Sequence, residues 1–412
     1  MRKNTWTKRT ALAVAATAVL AGTLPVAAAT AATAPNAVPK SVPPLPPLKV
    51  LKDSAGTGGG DIFVAPSSET SAYSSGVEIL SPNGRQVVWS HKVPAGQEAA
   101  DFRKQTYEGK PVLTWWQGTG LGGLSEGVDY IYNDRYQKIA TVRAGDGDSA
   151  DGHEFLITPW NTALVISYKQ ETADLTSIGG PADQQVIDGI VQEIDIRTGK
   201  VLFSWNSADH VPYAQSEQPL PASASTPWDW FHLNAVKVDT DGNLLIDARD
   251  TWTTYEVNRH TGKVLWQLGG KDSTFALHAA PGQVLNSADE VFAWQHDPQP
   301  LGDGLYTFFD NESAGAGNTG TGAVSELAYS RVVTVRLNPR TRTATLVRSV
   351  DQPEGLIAPS QGNGQTLPNG ELVVGWGSLP YISEFSRSGA LVFNAEFPAG
   401  VNTYRTYRFG WK

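Results

Sequence analysis

Residues 258–268 read NRHTGKVLWQL, and residues 195–205 read DIRTGKVLFSW. In each, a polar Thr-Gly turn precedes a short run of apolar and polar residues in alternation, the pattern of a tight turn feeding a half-buried strand. Four more segments have the same shape: SPNGRQVVWS at 81–90, NDRYQKIATV at 133–142, NPRTRTATLV at 338–347 and SRSGALVFNAEF at 386–397. The six copies recur at intervals of about 50 to 80 residues. That period is too long for a sandwich and fits propeller blades of four strands joined by variable loops. Between the copies lies a second, inner pair of strands: TYEGKPVLTWW, HEFLITPWNTALVISY, HLNAVKVDTDGNLLIDA, HDPQPLGDGLYTFFD and QGNGQTLPNGELVVGW. The predicted fold is all-β, a six-bladed β-propeller over residues 61–412.

Composition agrees. The 412 residues include 13 Trp, 13 Tyr, 41 Gly and 26 Pro, and no long stretch of the propeller region places apolar residues at helical spacing. With 41 acids against 32 bases the net charge is −9, which argues against a nucleic-acid partner. There is no cysteine, so disulfides, thiolate metal sites and cysteine nucleophiles are excluded and the core must hold by packing alone.

The amino-terminal stretch has a basic segment, RKNTWTKR, then the apolar run ALAVAATAVLAGTLPVAAA and A-x-A sites ending at Ala31 and Ala34. This is the layout of an export signal over residues 1–34. The expectation is a secreted protein with no membrane span in its mature form. Residues 35–60 hold six prolines between Pro35 and Pro47 and the glycine run GTGGG, and are read as a spacer that contributes no repeat strand.

The stretch WDWFHLNAVKVDTDGNLLIDARD, 228–250, puts a lone histidine just ahead of a hairpin. The chain does so again: His153, His232 and His296 each stand about 9 to 12 residues before the second strand of an inner pair. In a propeller the innermost strands surround the central channel, so residues at one repeat phase converge on its axis. A single histidine there could simply bond a strand-end carbonyl, but three sharing one register point to a ligand. The same phase carries Gln361 and Asn363 in the last repeat and, approximately, Arg103 in the first. Arg249, at the end of the strand after His232, could offer a planar fork of donors to an oxyanion, or pair with Asp247 or Asp250 beside it. Asn234, two residues after His232, lies on the same strand face and could add an amide donor. The other histidines, His91, His210, His260 and His278, fall in turns or outer strands and are expected to be solvated.

These residues carry a resemblance. The segments FHLNAV and QHDPQ, within 228–250 and 292–311, together with SQGNGQTLPNGELVVGWGSLPYISEF at 360–385 and the ending YRTYRFGW, resemble the bacterial and fungal arylsulfotransferase (ASST-like) propeller family. The likeness spans roughly residues 61–412. It implies a six-bladed propeller that moves a sulfuryl group from an aryl sulfate to an acceptor phenol, without a nucleotide donor, through a sulfohistidine. By the same resemblance, His296 of QHDP is the nucleophile, and His232, Asn234, Arg249 and His153 are the remaining sulfate-site residues. The best-known periplasmic members carry an extra amino-terminal β domain and a disulfide. This chain has a Pro-rich spacer and no cysteine in their place, as a shorter branch would.

The chemistry is coherent without a cofactor or a metal. A neutral imidazole is a competent nucleophile near pH 7 and leaves once sulfonated, so one transfer divides into two steps. Two other classes remain open at this stage. Three channel imidazoles could bind a divalent cation in a metal-dependent lyase or hydrolase, which Arg249 would oppose and a chelator would reveal. A non-catalytic propeller binding a glycan or a protein would show no turnover on a chromogenic aryl sulfate.

Overall fold

The computed structural model describes residues 42–54, 59–121, 124–315 and 326–411. Among these residues the chain forms six sheets of four or five strands, with only single-turn 3-10 helices besides, arranged as a six-bladed β-propeller. In blades 1 to 5 four strands follow chain order from the axis outward, and blade 4 also takes an outermost strand, Ala276–Ala279, which precedes its inner strand in the chain and pairs parallel with Thr343–Asp351. Their inner strands are Glu98–Tyr107, Phe155–Ile157, Leu233–Val238, His296–Gly302 and Asn363–Thr366. Blade 6 is composite. The strand Val401–Phe409 lies innermost and pairs antiparallel with Asp61–Ser68, behind which follow Gly76–Leu80 and Val87–Lys92. Two segments far apart in the chain thus supply one sheet, and the ring closes by backbone hydrogen bonds.

All six turn-and-strand repeats lie at the outer part of their blades. Their alternation reflects one face packed on the blade and one facing solvent, and Val87, Ile139, Leu202 and Leu265 are exposed. Inner and middle strands are buried on both faces over most of their length, because every pair of neighbouring blades shares an apolar layer. Trp116 and Ile131 of blade 1 meet Phe155 and Val165 of blade 2. Leu164 and Val191 of blade 2 meet Val236 and Tyr255 of blade 3, while Leu245 of blade 3 meets Phe308 and Val333 of blade 4. Phe309 and Val332 pack on Leu372 and Trp376, Ile382 and Phe393 on Ile62 and Val64, and Phe63 and Ile79 on Phe102 and Trp115. Each fully buried side chain of this kind stabilises the fold by about 1.5–3 kcal/mol.

One boundary differs from expectation. Within the Pro-rich stretch, Lys49–Asp53 forms a strand that adds antiparallel to Leu391–Glu396 as a fifth, outermost member of blade 5. Leu48 and Val50 pack on the layer between blades 5 and 6, and the carbonyl of Pro43 accepts from Ser74 Oγ at 2.8 Å. The folded body therefore begins before residue 61. Four prolines stand at 43, 44, 46 and 47, but KVLKD can pair on an edge because every one of its residues keeps its N–H. The leader, residues 1–34, and spacer residues 35–41 and 55–58 lie outside the described residues.

Candidate active site

The three in-phase histidines meet. The rings of His153 and His232 lie 5.1 Å apart between centroids at 86°, and those of His153 and His296 lie 6.4 Å apart. All three are buried. Three of the other histidines, His210, His260 and His278, are exposed as expected, whereas His91 is half-buried against Trp89 and Trp115. Repeat phase therefore distinguishes the clustered rings from the scattered ones.

The inner strands are bent where they reach this end of the axis. Asp101, His232, Asp297 and Gln361 have φ of 52°, 50°, 53° and 64°, a conformation uncommon for residues other than glycine. Ladder register shifts at Ala100/Arg103, Leu233/Ala235 and His296/Gln299. Such bulges re-aim side chains toward the axis and concentrate at functional sites.

Each imidazole is held through Nδ1. Asp151 holds His153, whose backbone N–H also bonds Asp151 Oδ1 at 2.9 Å. Asp229 Oδ2 holds His232 at 2.5 Å. Asn311 Oδ1 holds His296 at 2.7 Å, while the N–H of Gln361 approaches the opposite ring nitrogen, Nε2, at 3.3 Å. Sequence reasoning missed these three partners. Asp151 and Asp229 stand only two and three residues ahead of their histidines, a signal that was available. Two tyrosines complete the wall: Tyr168 has its ring 6.0 Å from His153 and 6.2 Å from His232, and Tyr404 has its ring 5.9 Å from His153.

The electrostatics separate the histidines. Burial, the charge of Arg249 and the neighbouring imidazoles push His296 well below the ordinary histidine range, so it is neutral near pH 7. His232 moves the other way. Burial opposes its charge, but the Asp229 carboxylate and its hydrogen bond outweigh burial and raise the pKa. Asp250 is pushed up to about 6, chiefly by burial.

Arg249 is fully buried beside this cluster, with its guanidinium 5.2 Å from the ring centre of Trp294. Its expected free fork is largely engaged. Nη2 donates to the carbonyls of Ser313, Ala314 and Pro359 at 3.0, 2.7 and 2.8 Å, and Nη1 donates to Asp250 Oδ1 at 3.0 Å. Nε has no partner among the described residues. Of the three amides expected to bind ligand, Asn234, Gln361 and Asn363, two are likewise committed elsewhere. Asn234 Nδ2 donates to the carbonyl of Gln295 at 2.6 Å, tying blade 3 to the residue before His296. Asn363 exchanges two bonds of 2.8 Å with the backbone of Thr406 and locks blade 5 to blade 6. Gln361 meets the cluster through its backbone N–H, and its side-chain oxygen is buried without a partner among the described residues.

Arg103 lies outside the histidine cluster, in a buried ionic network across the channel. Arg103 Nη2 bonds Asp101 at 2.9 Å and also Glu154, Lys237 Nζ bonds Asp297 at 2.8 Å, and Arg405 Nη1 bonds Asp101 at 3.1 Å and Glu154 at 2.9 Å. Glu154 and Asp297 directly follow His153 and His296, so the chain turns successive residues to different tasks.

A cation could be held in the site by Asp229, His232 and Asp250, whose donor atoms lie within 4.8 Å of one another, rather than by the three imidazoles together. Asp250 is already paired with Arg249, and a metal ion there would face the guanidinium.

Backed imidazoles beside a buried cation, at the axial end of a propeller, define a site suited to nucleophilic and acid–base group transfer. The sequence model of the arylsulfotransferase (ASST) family matches residues 103–398, which include the three histidines and Arg249, and the chain belongs to that family. No curated protein matches the sequence. Among solved structures, a protein of unknown function from Bacteroides caccae is similar at 13% identity, covering 84% of this chain and 98% of its own, with a TM-score of 0.47. A functionally unknown protein from Desulfotomaculum acetoxidans is similar at 14% identity, over 84% of this chain and 89% of its own, with a TM-score of 0.38. Kuenenia stuttgartiensis hydrazine synthase is similar at 12% identity, over 87% of this chain and 81% of its own, also at 0.38. Likeness at this level carries no argument about activity.

Proposed function

We propose that the protein is a secreted sulfotransferase that moves a sulfuryl group from an aryl sulfate to a phenol by a ping-pong route through sulfonated His296. The observation that carries this reading is the convergence of three imidazoles in two electrostatic states, one kept neutral and one kept readily protonated, in a chain of the arylsulfotransferase family. Export rests on the amino-terminal sequence alone.

In the first step the lone pair of His296 Nε2 attacks sulfur and the bond from sulfur to the aryl oxygen breaks. The phenolate leaves with that electron pair and takes a proton from the His232 imidazolium. In the second step the acceptor phenol gives its proton to His232 as its oxygen attacks sulfur. The N–S bond breaks and its electrons return to His296. His153, held by Asp151, stands beside both rings and can take over the proton transfer in either step. Arg249 acts mainly by its charge, with Nε as its unspent donor, and favours negative charge on the sulfuryl oxygens.

The test is intact-mass analysis after mixing the protein with 4-nitrophenyl sulfate and no acceptor. A sulfuryl adduct on the peptide containing His296, discharged by a phenol and unaffected by a chelator, is expected. No adduct together with no nitrophenol release would overturn the reading, and loss of turnover with a chelator would favour the cation group Asp229, His232 and Asp250 instead.

A further inference from the structure

We infer that Asn311 is the positioning residue that makes His296, rather than His153 or His232, the nucleophile, by fixing its tautomer without supplying a charge. The inference rests on the reading of His296 above and explains why that histidine differs from its neighbours.

The orientation of the Asn311 amide is determined by its surroundings. Its Nδ2 donates to the carbonyls of Ala358 at 2.7 Å and Gln361 at 3.0 Å, so the amino group must face those acceptors and Oδ1 must face His296. An amide oxygen can only accept. Nδ1 of His296, 2.7 Å away, must therefore carry the proton, and Nε2 keeps the only in-plane lone pair of the ring. The contact to Nε2 from the Gln361 N–H, at 3.3 Å, is long and readily exchanged for a bond to an attached oxygen.

The backbone around Asn311 is equally constrained. Arg331 binds both flanking residues, Asp310 through Nε at 2.8 Å and Glu312 through Nη2 at 3.2 Å. Ser330 Oγ donates to the carbonyl of Asn311 at 2.8 Å. The side chain has little freedom to turn its amino group toward the imidazole.

His153 and His232 have carboxylates at the corresponding place. A carboxylate stabilises the imidazolium, which suits an acid–base group but would keep more of a nucleophile in its protonated, unreactive form. It would also draw the Nδ1 proton from a sulfonated ring and make that ring a poorer leaving group. The neutral amide does neither. The groups facing His296, namely Arg249, His153 and His232, all disfavour its protonation, in keeping with a neutral partner.

Selective 15N-histidine labelling of the intact protein tests this at pH 7, with the His296 signals assigned by their loss in His296→Asn. The expected pattern is a protonated Nδ1 and an unprotonated Nε2. In Asn311→Ala the tautomers should mix, and the single-turnover rate of adduct formation should fall by about 10²-fold with KM little changed. A protonated Nε2 in the unaltered protein would overturn the inference, as would a folded Asn311→Ala protein with unchanged tautomer and rate. If Asn311→Ala fails to fold, the unaltered spectrum decides. Because the spectrum needs no turnover, failure of the sulfuryl-transfer reading and failure of this inference are told apart.

Discussion

The backbone N–H of Gln361 lies 3.3 Å from Nε2 of His296, joining the segment before the inner strand of blade 5 to the first residue of the inner strand of blade 4. A sulfuryl group on Nε2 would place an oxygen within reach of this donor. Gln361 has φ of 64°, so glycine should suit the position and a β-branched residue should not. Gln361→Gly is expected to retain adduct formation within about threefold, since the N–H remains, whereas Gln361→Val should lose about 1–2 kcal/mol of stability. Single-turnover rates and urea midpoints check the pair, and a collapse of the rate in the glycine variant would move the contact to the side chain.

The histidines should separate by role. His296→Asn should abolish the adduct, because an amide cannot accept the sulfuryl group. His232→Gln should slow the first step by about 10²–10⁴-fold for phenols that leave poorly and much less for 4-nitrophenyl sulfate, whose phenolate needs little protonation. An equal loss across leaving groups would mean that His232 binds substrate without moving a proton.

Activity with an aryl sulfate whose phenol leaves poorly should follow a bell in pH. His296 must be unprotonated and its pKa lies well below 6.5, so the rate rises as pH climbs through that lowered value. His232 must be protonated and its pKa lies above 6.5, so the rate falls as pH climbs through the raised value. The plateau should therefore include pH 6.5, and the alkaline limb should vanish in His232→Gln. A single-limbed profile in the unaltered protein would contradict the assignment.

The buried network should be costly to break. In Arg405→Met, Asp101 and Glu154 lose a partner at 3.1 and 2.9 Å, and the fold should lose about 3–5 kcal/mol, measured by denaturant titration. A loss near zero would show that water or the remaining cations replace the guanidinium.

Two truncated chains test the fifth strand of blade 5. A chain beginning at Gly59 lacks Lys49–Asp53 and the packing of Leu48 and Val50, and should melt several degrees below one beginning at Val42. Equal melting temperatures would return residues 42–54 to the role of a spacer.

The sequence exposed blade count and the histidine register because both repeat. The periodic turns fall on outer strands, and residues at one phase must meet on an axis. The strand Lys49–Asp53 stayed hidden because it repeats nothing and follows a run of prolines. Asn311 stayed hidden for a different reason. It lies 15 residues after His296 and is brought back only by the hairpin register that sets His296 against Phe309. The commitments of Arg249 arise from Ser313, Ala314 and Pro359, 64, 65 and 110 residues away, and no local pattern encodes them.

Ring closure by the strand Val401–Phe409 also sets an order in time. A ribosome makes Asp61–Ser68 early, yet its partner in blade 6, Val401–Phe409, is made only after the other five blades, so no shorter nascent chain can complete the sheet. That late strand carries Arg405. Before it docks, Arg103 and Lys237 face Asp101, Glu154 and Asp297, two positive charges against three negative. Its arrival closes the backbone ladder and balances the axial charge in one event. An interrupted chain, lacking both, keeps an open edge and an excess buried carboxylate, two marks by which unfinished copies differ physically from finished ones.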